Sequence, residues 1–226
     1  MADMHVLHER RTKDLLYEQV ARVGKALASP KRLEILELLA QAERAVEAVA
    51  RGAAIDVKLA SAHLKALREA HLVDSRRDGK RVLYRLSGAD VAHLGVALRA
   101  VAGTHLLELQ HALQQLVAGD GVLTGLGRKE LLARARRGEV VVLDVRPAEE
   151  YAAAHLPHAR SLPLPELAQR LAELPRGTEI VAYCRGPFCV MSDEAVRVLR
   201  AHGFTASKTS DGVAEWHAAG LALAHG

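Results

Sequence analysis

The chain has 226 residues, 50% hydrophobic, 26% charged and only 3% aromatic, with a formal net charge of +4 and two cysteines. At roughly 100–150 residues per domain this length makes one large or two ordinary domains, and the apolar content excludes disorder. No run approaches the ~20 apolar residues of a membrane helix, and the polar, mixed-charge stretch from Met1 to Lys13 is not expected to be a signal peptide. Cys184 and Cys189 fall in one short stretch, which excludes a disulfide-framed secreted fold and fits a reducing cytoplasm with one special thiol site.

The texture changes at Val117-Ala118-Gly119-Asp120-Gly121, where a helical pattern ends in two glycines. The expected domains are therefore residues 1–118 and 126–226, with a linker over 119–125. The whole surplus of Lys and Arg over Asp and Glu lies in the first part. There, residues 11–27 have the period of an amphipathic helix. Ser29-Pro30 then supplies an N-cap and a first-turn proline for a second helix, with Leu33, Ile35, Leu36, Leu38 and Leu39 inward. A short helix over 46–51 ends near Gly52. Asp56 caps a fourth helix running to about Ala70, with Leu59, Leu64 and Leu67 inward and Lys58, Ser61, His63, Lys65 and Arg68 largely outward. Leu72-Val73 rises to a hairpin turn at Asp78-Gly79 and returns through Val82, Tyr84 and Leu86. The tip is basic, with Arg76, Arg77, Lys80 and Arg81. Residues 90–117 read as one long helix whose Leu94, Leu98, Val101, Leu106, Leu109 and Leu113 present more apolar surface than a small domain covers, which suits a dimer interface.

The second part alternates short apolar runs with amphipathic stretches, the pattern of βα repeats and a parallel sheet. A helix over 127–137 precedes the buried strand Val140-Val141-Val142-Leu143 and Asp144-Val145-Arg146; a helix is expected over 164–174, then the strand Glu179-Ile180-Val181-Ala182-Tyr183. That strand runs into Cys184-Arg185-Gly186-Pro187-Phe188-Cys189, followed by a helix over 192–202 and a last strand to about Lys208. A cysteine at the carboxyl end of a parallel strand, in a tight loop before a helix, faces successive N–H groups that lower a thiol's pKa. Arg185 adds a cation beside it.

Two resemblances follow. Ala26-Leu27-Ala28-Ser29-Pro30-Lys31-Arg32-Leu33-Glu34-Ile35-Leu36 and His63-Leu64-Lys65-Ala66-Leu67-Arg68-Glu69-Ala70-His71-Leu72-Val73, in a helix-turn-helix followed by a basic hairpin, resemble the ArsR/SmtB family of dimeric winged helix-turn-helix repressors over about residues 15–115. Leu143-Asp144-Val145-Arg146, Glu150-Tyr151, His155-Leu156-Pro157, Tyr183-Cys184-Arg185 and the ending Asp211-Gly212, Trp216, Gly220 resemble a single-domain rhodanese over about 126–224. The fold class expected is thus a two-domain α+β chain: a mainly helical winged domain with a β-hairpin, then an α/β domain with a mostly parallel sheet.

On the first resemblance, Lys58, Ser61 and His63 reach base edges of a palindromic operator while Lys65, Arg76, Arg77, Lys80 and Arg81 neutralise phosphates. The competing reading makes these charges a solvated helical face and hairpin. Some family members bind metal through ligands on the last helix, and Asp90 with His93 and His105 with Glu108 are each three apart. Two antiparallel helices from two subunits could join these pairs as a zinc site, although the spacing departs from the family pattern and ordinary polar side chains on a surface or interface account for them better. No metal site is favoured, and no cofactor is called for.

On the second resemblance, Cys184 carries sulfane sulfur as a persulfide, and Asp144 and Arg146 brace the loop or meet an anionic donor; alternatively these two ion-pair within the fold and Cys184 is an inert buried thiol. The loop departs from the family by about two extra residues and by Cys189, where a basic or small polar residue is usual. Related phosphatases and arsenate reductases carry an arginine seven positions after the nucleophile, where this chain has Met191. Cys189 is therefore either a resolving thiol or a small apolar filler. The leading expectation is a cytoplasmic homodimeric repressor that senses a small sulfur donor such as thiosulfate or polysulfide, or an oxidant, at Cys184. The alternatives are an active sulfurtransferase with a fused regulatory domain and a zinc-responsive repressor.

Overall fold

In the computed structural model the described residues are 2–117 and 122–226, and they form two compact units, Met1–Val91 and Ala92–Gly226. The first unit begins with α1 (Ala2–Leu27) and α2 (Pro30–Leu39), whose N-cap Ser29 accepts the Arg32 N–H. A short strand β1 (Arg44–Ala45) leads to α3 (Val46–Gly52) and then α4 (Val57–Glu69), where Asp56 accepts the Leu59 N–H at 2.8 Å. β2 (Val73–Asp78) and β3 (Arg81–Leu86) form an antiparallel hairpin, and β1 joins the far edge of β3. Ile35, Leu36, Leu38, Leu39, Val49, Leu64, Leu67, Leu72, Val73 and Val91 make the core. Leu59, expected inward, is 42% exposed. The buried stripe of α4 is Ala60, Leu64 and Leu67, a clean i, i+4, i+7 row, which turns Leu59 about 100° away from it.

α5 (Ala89–His105) begins in the first unit and continues into the second, and α6 (Leu107–Val117) follows it. One helix was expected here; the break at Leu106 corrects this. The Gln110 side-chain amide donates to the Gly103 and Thr104 carbonyls, both at 3.0 Å, and Thr104 Oγ1 donates back to the Ala100 carbonyl at 2.9 Å. Carbonyls that would continue the helical ladder are thereby satisfied by side chains. Leu94, Leu98, Val101 and Leu106 stay exposed. Of the expected boundary, Ala118, Gly119, Asp120 and Gly121 lie outside the described residues, while Leu123 bridges to Lys208 in parallel.

The rest of the second unit is a four-stranded parallel sheet of order β5-β4-β6-β7, built from β4 (Val140–Asp144), β5 (Arg160–Ser161), β6 (Glu179–Tyr183) and β7 (Ala206–Lys208). α7 (Arg128–Arg137) precedes β4, α8 (Ala148–Ala153) and α9 (Leu164–Leu167) flank β5, α10 (Met191–Ala201) links β6 to β7, and α11 (Val213–Ala218) follows. The helix expected over 164–174 is α9 and a separate 3-10 turn at Leu171–Glu173. Period-two alternation sorts the strands onto two cores. Val141, Leu143, Ile180, Ala182 and Cys184 join Val196 and Leu199 of α10, while Val140, Val142, Val181 and Tyr183 join Leu131 of α7 and Trp216 of α11.

Candidate functional site

β4 has β5 on one side and β6 on the other, so the sheet reverses its winding between β4 and β6. Ligands of open α/β sheets bind beyond the strand ends at such a point, and Cys184 follows β6 there. The thiol is 3% exposed. Its Sγ is 3.3 Å from Ser192 Oγ and 3.4 Å from the Cys189 carbonyl oxygen, and the Cys189 N–H closes the loop onto the Gly186 carbonyl at 3.1 Å. Both cysteines are free thiols.

This arrangement favours a thiolate. The Cys184 pKa is lowered to about 7, first by the Cys189 side chain donating to it, against the opposing cost of burial, then by the Ser192 hydroxyl and the backbone N–H groups of Ser192 and Gly186. Cys189 moves the other way: its hydrogen bond to Cys184 and its burial keep its own proton on. Of the two thiols, Cys184 is thus the one that gives up its proton more readily and Cys189 the one that keeps it.

The loop is pinned from below. Gly186 has φ +142°, a conformation that L side chains avoid, and a Cβ on Gly212 would stand 2.5 Å from the Arg185 carbonyl carbon and oxygen. The Asp211-Gly212 turn therefore packs backbone to backbone against the cysteine loop. Arg128 holds that turn through Asp211, at 2.9 Å for Nη2. At the start of α10, Lys208 Nζ donates to Asp193 Oδ1 within the core.

The other expected site residues are distributed as follows. Arg185 turns its guanidinium onto Glu150, with Nη2 donating at 2.6 Å to a carboxylate whose side chain is fully buried. Its charge is matched there. Asp144 and Arg146 are both 0% exposed and meet each other at 2.6 Å; Arg146 also donates to the Ala154 carbonyl at 2.8 Å, and the Tyr183 hydroxyl donates to Asp144. Burial and the neighbouring Asp144 carboxylate raise the Tyr183 pKa, so it remains a donor. Asp144 and Tyr183 have the strand parity opposite to Cys184, and these contacts are those of a brace inside the domain. Glu150 enters the sequence pattern only as part of a motif, and Ser192 and Glu215 are not among the expected site residues. Ser192 had one signal, its place in the first turn of the helix after the loop.

In the first unit, Lys58, Ser61 and Lys65 lie exposed along α4 with His63 half-buried, and Arg77, Lys80 and Arg81 are exposed at the hairpin tip. Among the described residues no ion pair engages Lys58, Arg77, Lys80 or Arg81, whereas Arg76 is held by Glu43, with Nε donating at 2.9 Å. Asp90 and His93 share α5, but the break at Leu106 puts His105 and Glu108 on different helices, which corrects the expected common face of that pair. No group of three or more His, Cys, Asp or Glu side chains among the described residues is placed to hold a metal ion. No described helix is long and apolar enough to cross a membrane.

Comparison with known proteins agrees with this architecture. Residues 29–75 match the arsR family of bacterial regulatory proteins, and residues 127–219 match the rhodanese-like domain. The chain is 48% identical over 214 residues to the HTH-type transcriptional regulator Rv0324 of Mycobacterium tuberculosis, covering 95% of this chain and 94% of that protein. It is 40% identical over 83 residues to the biofilm growth-associated repressor of Agrobacterium fabrum, which spans 37% of this chain and 71% of the relative. A solved homodimeric winged helix-turn-helix DNA-binding domain, Mb0332 from Mycobacterium bovis, is 52% identical over 42% of this chain and 89% of its own, with a TM-score of 0.40. The chain belongs to the ArsR family of bacterial transcriptional regulators and carries a rhodanese-like domain after its helix-turn-helix.

Proposed function

We propose that this regulator is a homodimeric repressor whose DNA affinity is set by sulfane sulfur or oxidant at Cys184, with residues 1–118 binding DNA and pairing subunits and residues 126–226 carrying the thiol chemistry. The observation that carries the reading is the placement of both thiols of the chain in one loop, with Cys184 Sγ against Ser192 Oγ and the Cys189 backbone, where the Cys184 pKa is lowered to about 7. The exposed row of Leu94, Leu98 and Val101 supports pairing of two copies, and a two-fold dimer reads a palindrome with half-sites about one DNA turn apart. The unpaired Arg77, Lys80 and Arg81 of the hairpin support phosphate contact, and the exposure of Lys58 and Ser61 on α4 supports contact with base edges.

The chemistry balances without a cofactor. The Cys184 thiolate attacks the terminal sulfur of a polysulfide, breaking its S–S bond and releasing the shortened chain as a thiolate; Cys184 becomes a persulfide. With Cys184 now a persulfide, the thiolate that held the Cys189 proton is gone; Cys189 gives that proton to solvent and attacks the inner sulfur of the persulfide. A Cys184–Cys189 disulfide forms and hydrogen sulfide leaves, so two thiols are oxidised as one sulfane sulfur is reduced. With peroxide, Cys184 becomes a sulfenic acid and the same attack by Cys189 releases water. Coupling of either product to DNA binding needs roughly 1–3 kcal/mol, an ordinary allosteric magnitude.

The test is DNA binding of the wild type and Cys184→Ser to the duplex upstream of the protein's own gene, with and without sodium tetrasulfide. Equal affinity in all four conditions overturns the sensing reading. A second reading, a sulfurtransferase with a fused regulatory domain, draws on the match of residues 127–219 to the rhodanese-like domain. Multiple-turnover formation of thiocyanate from thiosulfate and cyanide, lost in Cys184→Ser, supports that reading, whereas a single turnover without release supports the sensor.

A further inference from the structure

Glu215 is a buried carboxylate that the sulfur chemistry does not use. It stands in the first turn of α11 and accepts the Gly212 N–H at 3.0 Å, so it caps the helix that follows the turn packed against the cysteine loop. The same carboxylate reaches the loop directly. A Cβ on Gly186 would lie 3.0 Å from Glu215 Oε2 and 3.2 Å from Oε1.

The cation that matches Glu215 comes from α5. Arg99 Nη2 donates to Glu215 Oε1 at 2.6 Å, with the two side chains 18% and 9% exposed. The Arg99 guanidinium also lies 6.0 Å from the centre of the Phe188 ring, which belongs to the cysteine loop. Its Nε is buried and has no hydrogen-bond partner among the described residues. A second contact ties the same two helices, since His93 Nε2 on α5 is 3.0 Å from His217 Nδ1 on α11. Arg128, bonded to Asp211, is the other cation that feels the Glu215 charge.

We infer that Arg99 and Glu215 are a positioning pair: Glu215 sets the charge and the backbone position beneath the Cys184 loop, and Arg99 ties that loop to α5. A buried carboxylate that loses its cation is left with an uncompensated charge, so the pair holds together and a displacement of the loop is passed to Arg99. α5 begins at Ala89, with Val91 in the core of the unit that contains α4, so the displacement reaches a helix rooted in the DNA-binding unit. This second half of the inference rests on the sensing reading above; the first half does not.

Two measurements on the 226-residue chain separate them. The first is the pH profile of Cys184 alkylation by iodoacetamide, followed by mass spectrometry, in wild type, Arg99→Ala, Arg99→Lys, Glu215→Gln and Arg99→Ala/Glu215→Gln. With Glu215 left unmatched in Arg99→Ala, a negative charge beneath the loop opposes the thiolate, and alkylation at pH 7 falls about twofold, as for a rise of roughly half a pK unit. Arg99→Lys restores most of the rate. Glu215→Gln keeps an acceptor for the Gly212 N–H but removes the charge, so it shifts the profile the other way, and adding Arg99→Ala, which removes the cation left unmatched, brings it back toward wild type. Superimposed profiles for wild type, Arg99→Ala and Glu215→Gln overturn the positioning pair; if Arg99→Ala fails to fold, superimposed profiles for wild type and Glu215→Gln do so.

The second measurement is DNA binding to the duplex upstream of the gene, before and after sodium tetrasulfide. The tetrasulfide-induced change in wild-type affinity shrinks to under about threefold in Arg99→Ala, although mass spectrometry shows Cys184 still taking up sulfur; on the logarithmic scale this removes most of the coupling. An Arg99→Ala response equal to that of wild type overturns the tie to α5. A wild type that does not respond to tetrasulfide overturns the sensing reading and leaves the alkylation profiles to decide the positioning pair.

Discussion

Replacing Cys189 by alanine removes the first-ranked support of the Cys184 thiolate while leaving the loop one small side chain in its place. The Cys184 pKa falls from an ordinary 9.0 to about 7, and the Cys189 hydrogen bond is the largest of the causes, ahead of Ser192 and the Gly186 N–H. Without that bond the Cys184 pKa moves back up, and a rise of roughly one pK unit, about 1.4 kcal/mol, sets the scale of the effect in Cys189→Ala. The thiolate fraction at pH 7 then drops from about one half to about one tenth, and the rate of iodoacetamide alkylation at Cys184 falls about fivefold. Cys189→Ser keeps a donor of similar reach and holds the profile near that of wild type. The assay is alkylation of Cys184 between pH 5.5 and 9.5, read on the Cys184 peptide. A Cys189→Ala profile superimposed on wild type would refute the claim that Cys189 acts as the proton donor to Cys184.

Other substitutions probe the frame and the first unit. Arg146→Met strands the buried Asp144 carboxylate and the hydroxyl that donates to it, so stability falls by about 3–5 kcal/mol, read as a lower midpoint in chemical denaturation. Gly212→Ala drives a Cβ into the Arg185 carbonyl, and the expected outcome is a slower alkylation of Cys184 together with a lower thermal midpoint. In the proposed DNA complex, Lys80→Ala and Arg81→Ala each lower the slope of log affinity against log salt by roughly 0.9 for every phosphate left without its cation, whereas Arg76→Ala changes it less because Glu43 already matches Arg76. Sulfur uptake from tetrasulfide by wild type rises from pH 6 to 8 and levels off above it. The folded Cys184 pKa is lowered, so the reactive form is lost as pH falls through about 7.

Most of the architecture was legible because its signals are local. Ser29-Pro30 and Asp56 act as caps within one helical turn, Asp78-Gly79 sets a hairpin, and the apolar run ahead of Cys184 makes a buried strand that ends at a loop and a helix. Cys184 stands out in the sequence for the same reason, since the donors that lower its pKa are Cys189, Ser192 and Gly186, all within eight residues of it in the chain. Where the structure differs from the pattern, a side chain nearly two turns away took over a backbone role, as when Gln110 satisfied the carbonyls that end α5, or a one-residue rotation decided exposure, as at Leu59.

Charge pairing is what only the tertiary structure decided. Arg76 is bound by Glu43 at 33 residues' separation, Arg185 by Glu150 at 35 and Arg99 by Glu215 at 116. No periodicity or motif spacing encodes such partners, because each depends on where the chain path brings two distant segments together. Asp144 and Arg146 show the same limit at short range: their pairing was one of two readings, and the pleat of β4 and β6, which sends Tyr183 and Cys184 to opposite faces, puts both into a buried brace. The sequence by itself determined which residue types stand at the carboxyl end of β6 and at the tip of the hairpin. The tertiary structure determined which of their charges remain unmatched, since a buried or paired cation no longer acts on a ligand and one without a partner does.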